Sequence, residues 1–163
     1  MASHIASNLQ EESEFSVKLQ SVDETGSLDE FDTIIIGSSI RAHRILANVR
    51  DFMARHKNDL NAKKIFFFVV CLTAKCDEGR SKAKRKYIDP VFQKYPTIKP
   101  ISTEAFGGKI ETDKFNPVMK NLMRHVVDQA GLAQDSSIDL TDREHVDNWT
   151  ETIKQKLHKV SES

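Results

Sequence analysis

The chain has 163 residues, 39% of them hydrophobic and 29% charged, a size at which one globular domain buries a full core. Acidic and basic residues balance at 24 each, so net charge gives no reason to expect nucleic acid or an anionic membrane as the main partner. No stretch reaches the roughly 20 apolar residues of a membrane span, and the N-terminus has neither the basic nor the apolar region of a signal peptide, which makes the cytoplasm the simplest expected address.

The opening MASHIASNLQEESEFSVKLQSV reads as a helix followed directly by an alternating segment, Ser16 to Val22, with the pattern of an edge strand. Two later runs, DTIIIG (Asp32 to Gly37) and KKIFFFVVCL (Lys63 to Leu72), are apolar without alternation. That is the signature of strands covered on both faces, hence central strands of a parallel sheet. Between them ILANVRDFM places Ile45, Leu46, Val49, Phe52 and Met53 on one helical face, completing a βαβ unit.

Lys82 to Lys94 carries Ala83, Tyr87, Ile88, Val91 and Phe92 on one face, with Pro90 expected to kink or restart the helix after Asp89. ISTEAFGG (Ile101 to Gly108) reads as a strand closing on two glycines. Asn116 and Pro117 cap and start a further helix, striped by Val118, Met119, Leu122, Met123, Val126 and Val127 and ended by Gly131. The last helix begins at TDRE, a capping box between Thr141 and Glu144, and its buried face is Val146, Trp149, Ile153, Leu157 and Val160. Alternating strands and helices with short connections predict a doubly wound α/β sheet in one domain over residues 1–160, followed by a polar tail at 161–163. In such sheets ligands bind beyond the carboxyl ends of the strands, where the strand order reverses.

The two central strands run into GSSIRAHR (Gly37 to Arg44) and CLTAKC (Cys71 to Cys76). Small hydroxylated residues and free backbone amides there suit a flat polar ring or a phosphate better than acid-base hydrolysis. The plainer alternative is that Ser38 caps one turn and Thr73 the next. Cys71 and Cys76 have the spacing of neither a zinc ligand set nor a disulfide framework, and read as reduced thiols. The six histidines show no metal-ligand spacing, and no side chain stands out as a general base. The run GRSKAKRK, with Arg80, Lys82, Lys84, Arg85 and Lys86, is either a solvated face or a site for an anionic partner such as anionic lipid or an acidic protein, the lipid case placing the protein peripherally at a membrane.

EFDTIIIGSSIRAHR, FFFVVCLTAK, FGGKIETDKFNPVMKNLMRHV and the terminal LTDREHVDNW resemble successive blocks of the flavodoxin-like family that includes the menaquinone-dependent protoporphyrinogen dehydrogenases. The resemblance implies a flavodoxin-like sheet of order 2-1-3-4-5 that binds FMN. It implies that the loop after the family's third strand, here Ser38, Ser39, Ile40 and Arg41, lines one side of the flavin ring. The loop after the fourth strand, here Leu72, Thr73, Ala74 and Lys75, lines the other, and Gly107 and Gly108 match a loop bordering the site. The implied activity is oxidation of protoporphyrinogen IX with electrons passed to a quinone. The alternatives are a flavodoxin-type carrier that delivers electrons to a redox protein, and a protein with the fold but no bound flavin.

The match begins inside the family's first helix, with the last hydroxyl position of its phosphate loop falling on Ala2. Phosphate contacts are charge-assisted and worth about 1.5–3 kcal/mol each, so their loss implies weak FMN binding by the chain as given. The family's first strand, which lies between its second and third, also has no counterpart. Either the natural chain is longer, or Ser16 to Val22 pairs directly with the Asp32 strand, or another chain fills the gap. After the fifth strand KIETDKFNPVM carries one Phe and two acids, where the protoporphyrinogen dehydrogenases are rich in arginine and aromatic residues.

Overall fold

The computed structural model describes residues 1–111 and 137–161. Helix α1 (Ala2–Gln10) buries Ile5, Ala6 and Leu9, three positions that share one face. Strand β1 (Thr33–Arg41) runs parallel to β3 (Lys64–Val70), which runs parallel to β4 (Pro100–Phe106). The two-residue β2 (Arg44–Ile45) turns back antiparallel on β1, giving the order β2-β1-β3-β4. Helices α2 (Ala47–Arg55) and α3 (Lys57–Asn61) form the crossover between β1 and β3. Helices α4 (Asp77–Ala83) and α5 (Asp89–Lys94) form the next crossover. Strands β5 (Lys109–Glu111) and β6 (Ser137–Asp139) make a separate antiparallel pair, and α6 (Arg143–Ser161) closes the described chain.

Strand β3 organises the core because its two faces are both apolar. Ile65, Phe67 and Val69 join Val49, Phe52 and Met53 of α2 and Ile88 and Val91 of the second crossover. Phe66 and Phe68 point the opposite way, toward Ile5 and Leu9 of α1 and Val146, Trp149 and Ile153 of α6. Each fully buried side chain of this size contributes about 1.5–3 kcal/mol, so both layers depend on the same strand. Helices on both faces of a parallel sheet are the doubly wound α/β architecture expected, with the order of the family's third to fifth strands reproduced by β1, β3 and β4.

Four local expectations are corrected. Ser16 to Val22 belongs to no strand among the described residues. Alternation selects a buried face, but a strand also needs a backbone partner. Here a groove separates the segment from β1, and side chains tether it instead: Gln10 Nε2 donates to the Val17 carbonyl at 3.3 Å and Lys18 pairs with Glu30 at 3.1 Å. Second, GSSIRAHR is not a loop; β1 continues to Arg41 and a tight hairpin pairs Arg41 with Arg44.

Third, the helix expected from Lys82 begins at Asp77, whose carboxylate and that of Glu78 suit the positive end of the helix dipole. It passes through a π-helical turn, Lys84–Ile88, where the Asp89 N–H reaches back to the Lys84 carbonyl. The widened turn delivers Pro90 into the first turn of α5, the restart the sequence implies. Fourth, the capping box is displaced: Asp142, not Thr141, accepts the His145 N–H at 3.0 Å, while Thr141 bonds to the Asp139 carboxylate. The helix expected from Asn116 to Gly131 lies outside the described residues.

Candidate functional site

The parallel pairing of the three strands ends at one level. Ser39 is registered with Val70, and Val70 with Phe106, so the segments following β1, β3 and β4 emerge along one edge of the sheet. The structure therefore brings together the three groups of residues expected to line a ring. Their individual environments differ.

Ser38 is 4% exposed, and its hydroxyl is used internally. It accepts the Leu46 N–H at 3.0 Å and donates to the Ser39 carbonyl at 3.0 Å, fixing the start of α2 against the end of β1. Ser39 is exposed beside it. Ile40 packs against the α2-side core opposite Ile45, and Arg41 is exposed at the hairpin.

Leu72–Ala74 form a single 3₁₀ turn after β3. The Cys71 N–H donates to the Phe106 carbonyl at 3.0 Å, extending the β3–β4 ladder to the turn. Burial pushes the Cys71 thiol up from its ordinary pKa, although hydrogen bonds from the Ala74 and Thr73 backbone and the Thr73 hydroxyl oppose the shift. A neutral thiol in the apolar layer is a packing group rather than a nucleophile. Leu72 and Thr73 are half-buried, Ala74 is buried and Lys75 is exposed.

Gly107 and Gly108 are buried. A Cβ on Gly107 would meet the Leu140 carbonyl oxygen at 1.9 Å, and one on Gly108 would approach Val70 Cγ1 to 2.9 Å. These glycines let the end of β4 pass closely against β3 and the segment leading to α6. The Leu140 N–H donates to the Gly108 carbonyl at 3.1 Å and holds that approach.

A groove of about 830 Å³ runs along the outer edge of β1 to Ser38 and Ser39, with Met1 and Ala2 at the start of α1 among its walls. The Lys64 N–H donates to the Asp32 carbonyl at 2.9 Å. Backbone alternation then turns the amides and carbonyls of Thr33, Ile35 and Gly37 away from β3 toward this groove. The first turn of α1 carries no acidic residue and no side-chain cap, so its end of the groove is electrostatically compatible with an anion.

The basic run divides in space. Arg80 bonds to Asp77 and Asp142, both at 2.6 Å, and Lys84 pairs with Glu104 at 3.0 Å. Lys82, Arg85 and Lys86 remain exposed. Sequence reasoning missed His43 and Arg44 as members of a structured element, because Ala42 and His43 form a tight turn without the usual Gly or Asn signal.

Among the described residues no helix is long and apolar enough to cross a membrane. The sequence model of a family described as flavodoxin domain matches residues 1–137. A comparison with curated proteins finds no match to the chain.

Proposed function

The chain belongs to the flavodoxin domain family, a family of FMN-binding redox proteins, and from that premise we propose that it is an FMN-dependent oxidoreductase whose flavin ring lies at the carboxyl edge of the sheet. The observation that supports the reading is the common level of Ser39, Val70 and Phe106, which gathers at one edge the three segments expected to line the ring. The donor set there fits a flavin ring. The exposed Ser39 hydroxyl and the backbone of Leu72 to Lys75 would hold its polar edge, and Gly107 and Gly108 would border it as buried backbone. The groove past Met1 and Ala2 gives the phosphate an approach to the first-turn amides of α1.

When bound, FMN supplies the hydride and single-electron chemistry. The protein's part is orientation: Ser38 braces Ser39 through its own two hydrogen bonds, and the 3₁₀ turn is anchored by the extended β3–β4 ladder. The finer reading is oxidation of protoporphyrinogen IX with a quinone as acceptor, and its support is the order and spacing of the sequence blocks. Lys82, Arg85 and Lys86 are the exposed cations for an anionic lipid, a porphyrin carboxylate or an acidic redox partner.

Titration with FMN and with riboflavin, followed by flavin fluorescence, tests the cofactor. Saturable quenching is expected, with the two flavins bound within about tenfold of each other because ring contacts dominate. Absence of saturation by about 1 mM flavin overturns the reading. Quinone-dependent oxidation of protoporphyrinogen by the flavin-loaded protein tests the substrate, and reduction of a protein acceptor without it identifies a carrier.

A further inference from the structure

A second cavity, of about 190 Å³, lies between the β1–β2 hairpin, α2, the π-helical turn and α5. Its floor is apolar, from Ile45, Met53 and Val91, with the Tyr87 and Tyr95 rings beside them. Its rim is basic, from His43, Arg44, Arg50, Lys86 and Lys94, and among the described residues no carboxylate lines it. The ammonium groups of Lys86 and Lys94 lie 5.4 and 5.5 Å from the centres of the Tyr87 and Tyr95 rings, which holds both cations at the mouth.

Two further observations distinguish this cavity from a solvated basic face. The Tyr95 hydroxyl is shielded from solvent and has no hydrogen-bond partner among the described residues, a state that buried polar groups rarely keep. The hairpin that supplies His43 is strained. Ala42 and His43 have φ of 47° and 60°, left-handed values that side-chain-bearing residues adopt at a cost and that cluster at ligand clamps. The strained turn brings His43 Nδ1 within 3.4 Å of Lys86 Nζ and 3.5 Å of the Tyr87 hydroxyl.

We propose that this cavity binds a small organic anion, a carboxylate or phosphate carried on an apolar body the size of one aromatic ring. An apolar cavity of about 150 Å³ takes up a benzene-sized molecule, which sets the size of the body. The rim sets the charge: several cations converging without a carboxylate are stabilised by one oxyanion, and charge-assisted hydrogen bonds make that contact strong. The site uses neither the strand ends nor the groove and shares only Lys86 with the basic run, so it stands independently of the flavin reading.

Calorimetric titration of the full chain, without added flavin, with benzoate, phenyl phosphate, benzyl alcohol and inorganic phosphate tests it. At least one of benzoate and phenyl phosphate should bind with a Kd of about 1 mM or tighter, and the tighter of the two identifies the oxyanion. Benzyl alcohol and inorganic phosphate should bind at least about tenfold more weakly, since each lacks one half of the ligand. Arg50→Gln combined with Lys86→Gln, both at exposed positions, should weaken the tighter anion by about tenfold or more. The proposal is overturned if benzyl alcohol or inorganic phosphate binds as tightly as the organic anions. It is equally overturned if neither anion saturates by about 20 mM, or if the double charge variant leaves affinity unchanged.

Discussion

The Ser38 hydroxyl joins the end of β1 to the start of α2 through one atom, accepting from Leu46 and donating to Ser39. Ser38→Ala leaves a buried N–H without an acceptor, a change that costs about 1–3 kcal/mol. Urea unfolding of the variant should show that loss with an unchanged slope; a variant as stable as the wild type contradicts the bracing role. The sequence contained this function as one of two readings, because a serine at a strand end can either cap a turn or face a ligand. Only the position of the Leu46 N–H distinguishes them. Ala42 and His43 were less legible, since neither residue type signals a positive φ and the strain is imposed by pairing Arg41 with Arg44.

At the scale of elements, α1 and α6 are joined by Asp147 as well as by their apolar faces. His4 Nε2 lies 2.6 Å from its carboxylate and Asn8 Nδ2 donates to it at 2.7 Å. The His4 hydrogen bond, followed by that of Asn8, holds the Asp147 carboxyl below its ordinary value of 3.8. A carboxyl whose pKa is depressed by folding contributes stability that is full above the ordinary value and is lost as pH falls through the folded one. Urea unfolding across a pH series should therefore show the wild-type advantage over Asp147→Asn fully present above about pH 5 and shrinking below about pH 4. A gap that stays constant to about pH 2 would falsify the assignment. Helix α6 was readable from its 3.6-residue stripe, and β3 from its unbroken apolar run. Ser16 to Val22 was misread as a strand because alternation carries no information about a pairing partner. The displaced cap at Asp142 reflects three adjacent residues, Thr141, Asp142 and Arg143, two of which cap helices well.

The molecule as a whole is built on one strand with two apolar faces, and this is why its fold class was legible from a handful of residues while its site was less so. A sheet buried on both sides writes itself into sequence as runs such as KIFFFVV. A site assembled from three strand ends does not, because the level alignment of Ser39, Val70 and Phe106 is a property of registers between distant segments. The α6-side layer has an optical consequence. The chain contains a single tryptophan, and Trp149 is only 4% exposed, with ring centres of Phe66, Phe68 and Phe106 at 6.4, 5.9 and 5.6 Å and its indole N–H donating to Ser102 at 3.0 Å. All indole emission therefore originates at the seam between α6 and the sheet. Native emission should be blue-shifted and resistant to acrylamide, moving to the red as the seam opens in denaturant; native emission already at the wavelength of free tryptophan would contradict the packing. The protein thus carries its own chromophore at a known address, from which energy transfer to any flavin can be read without a label.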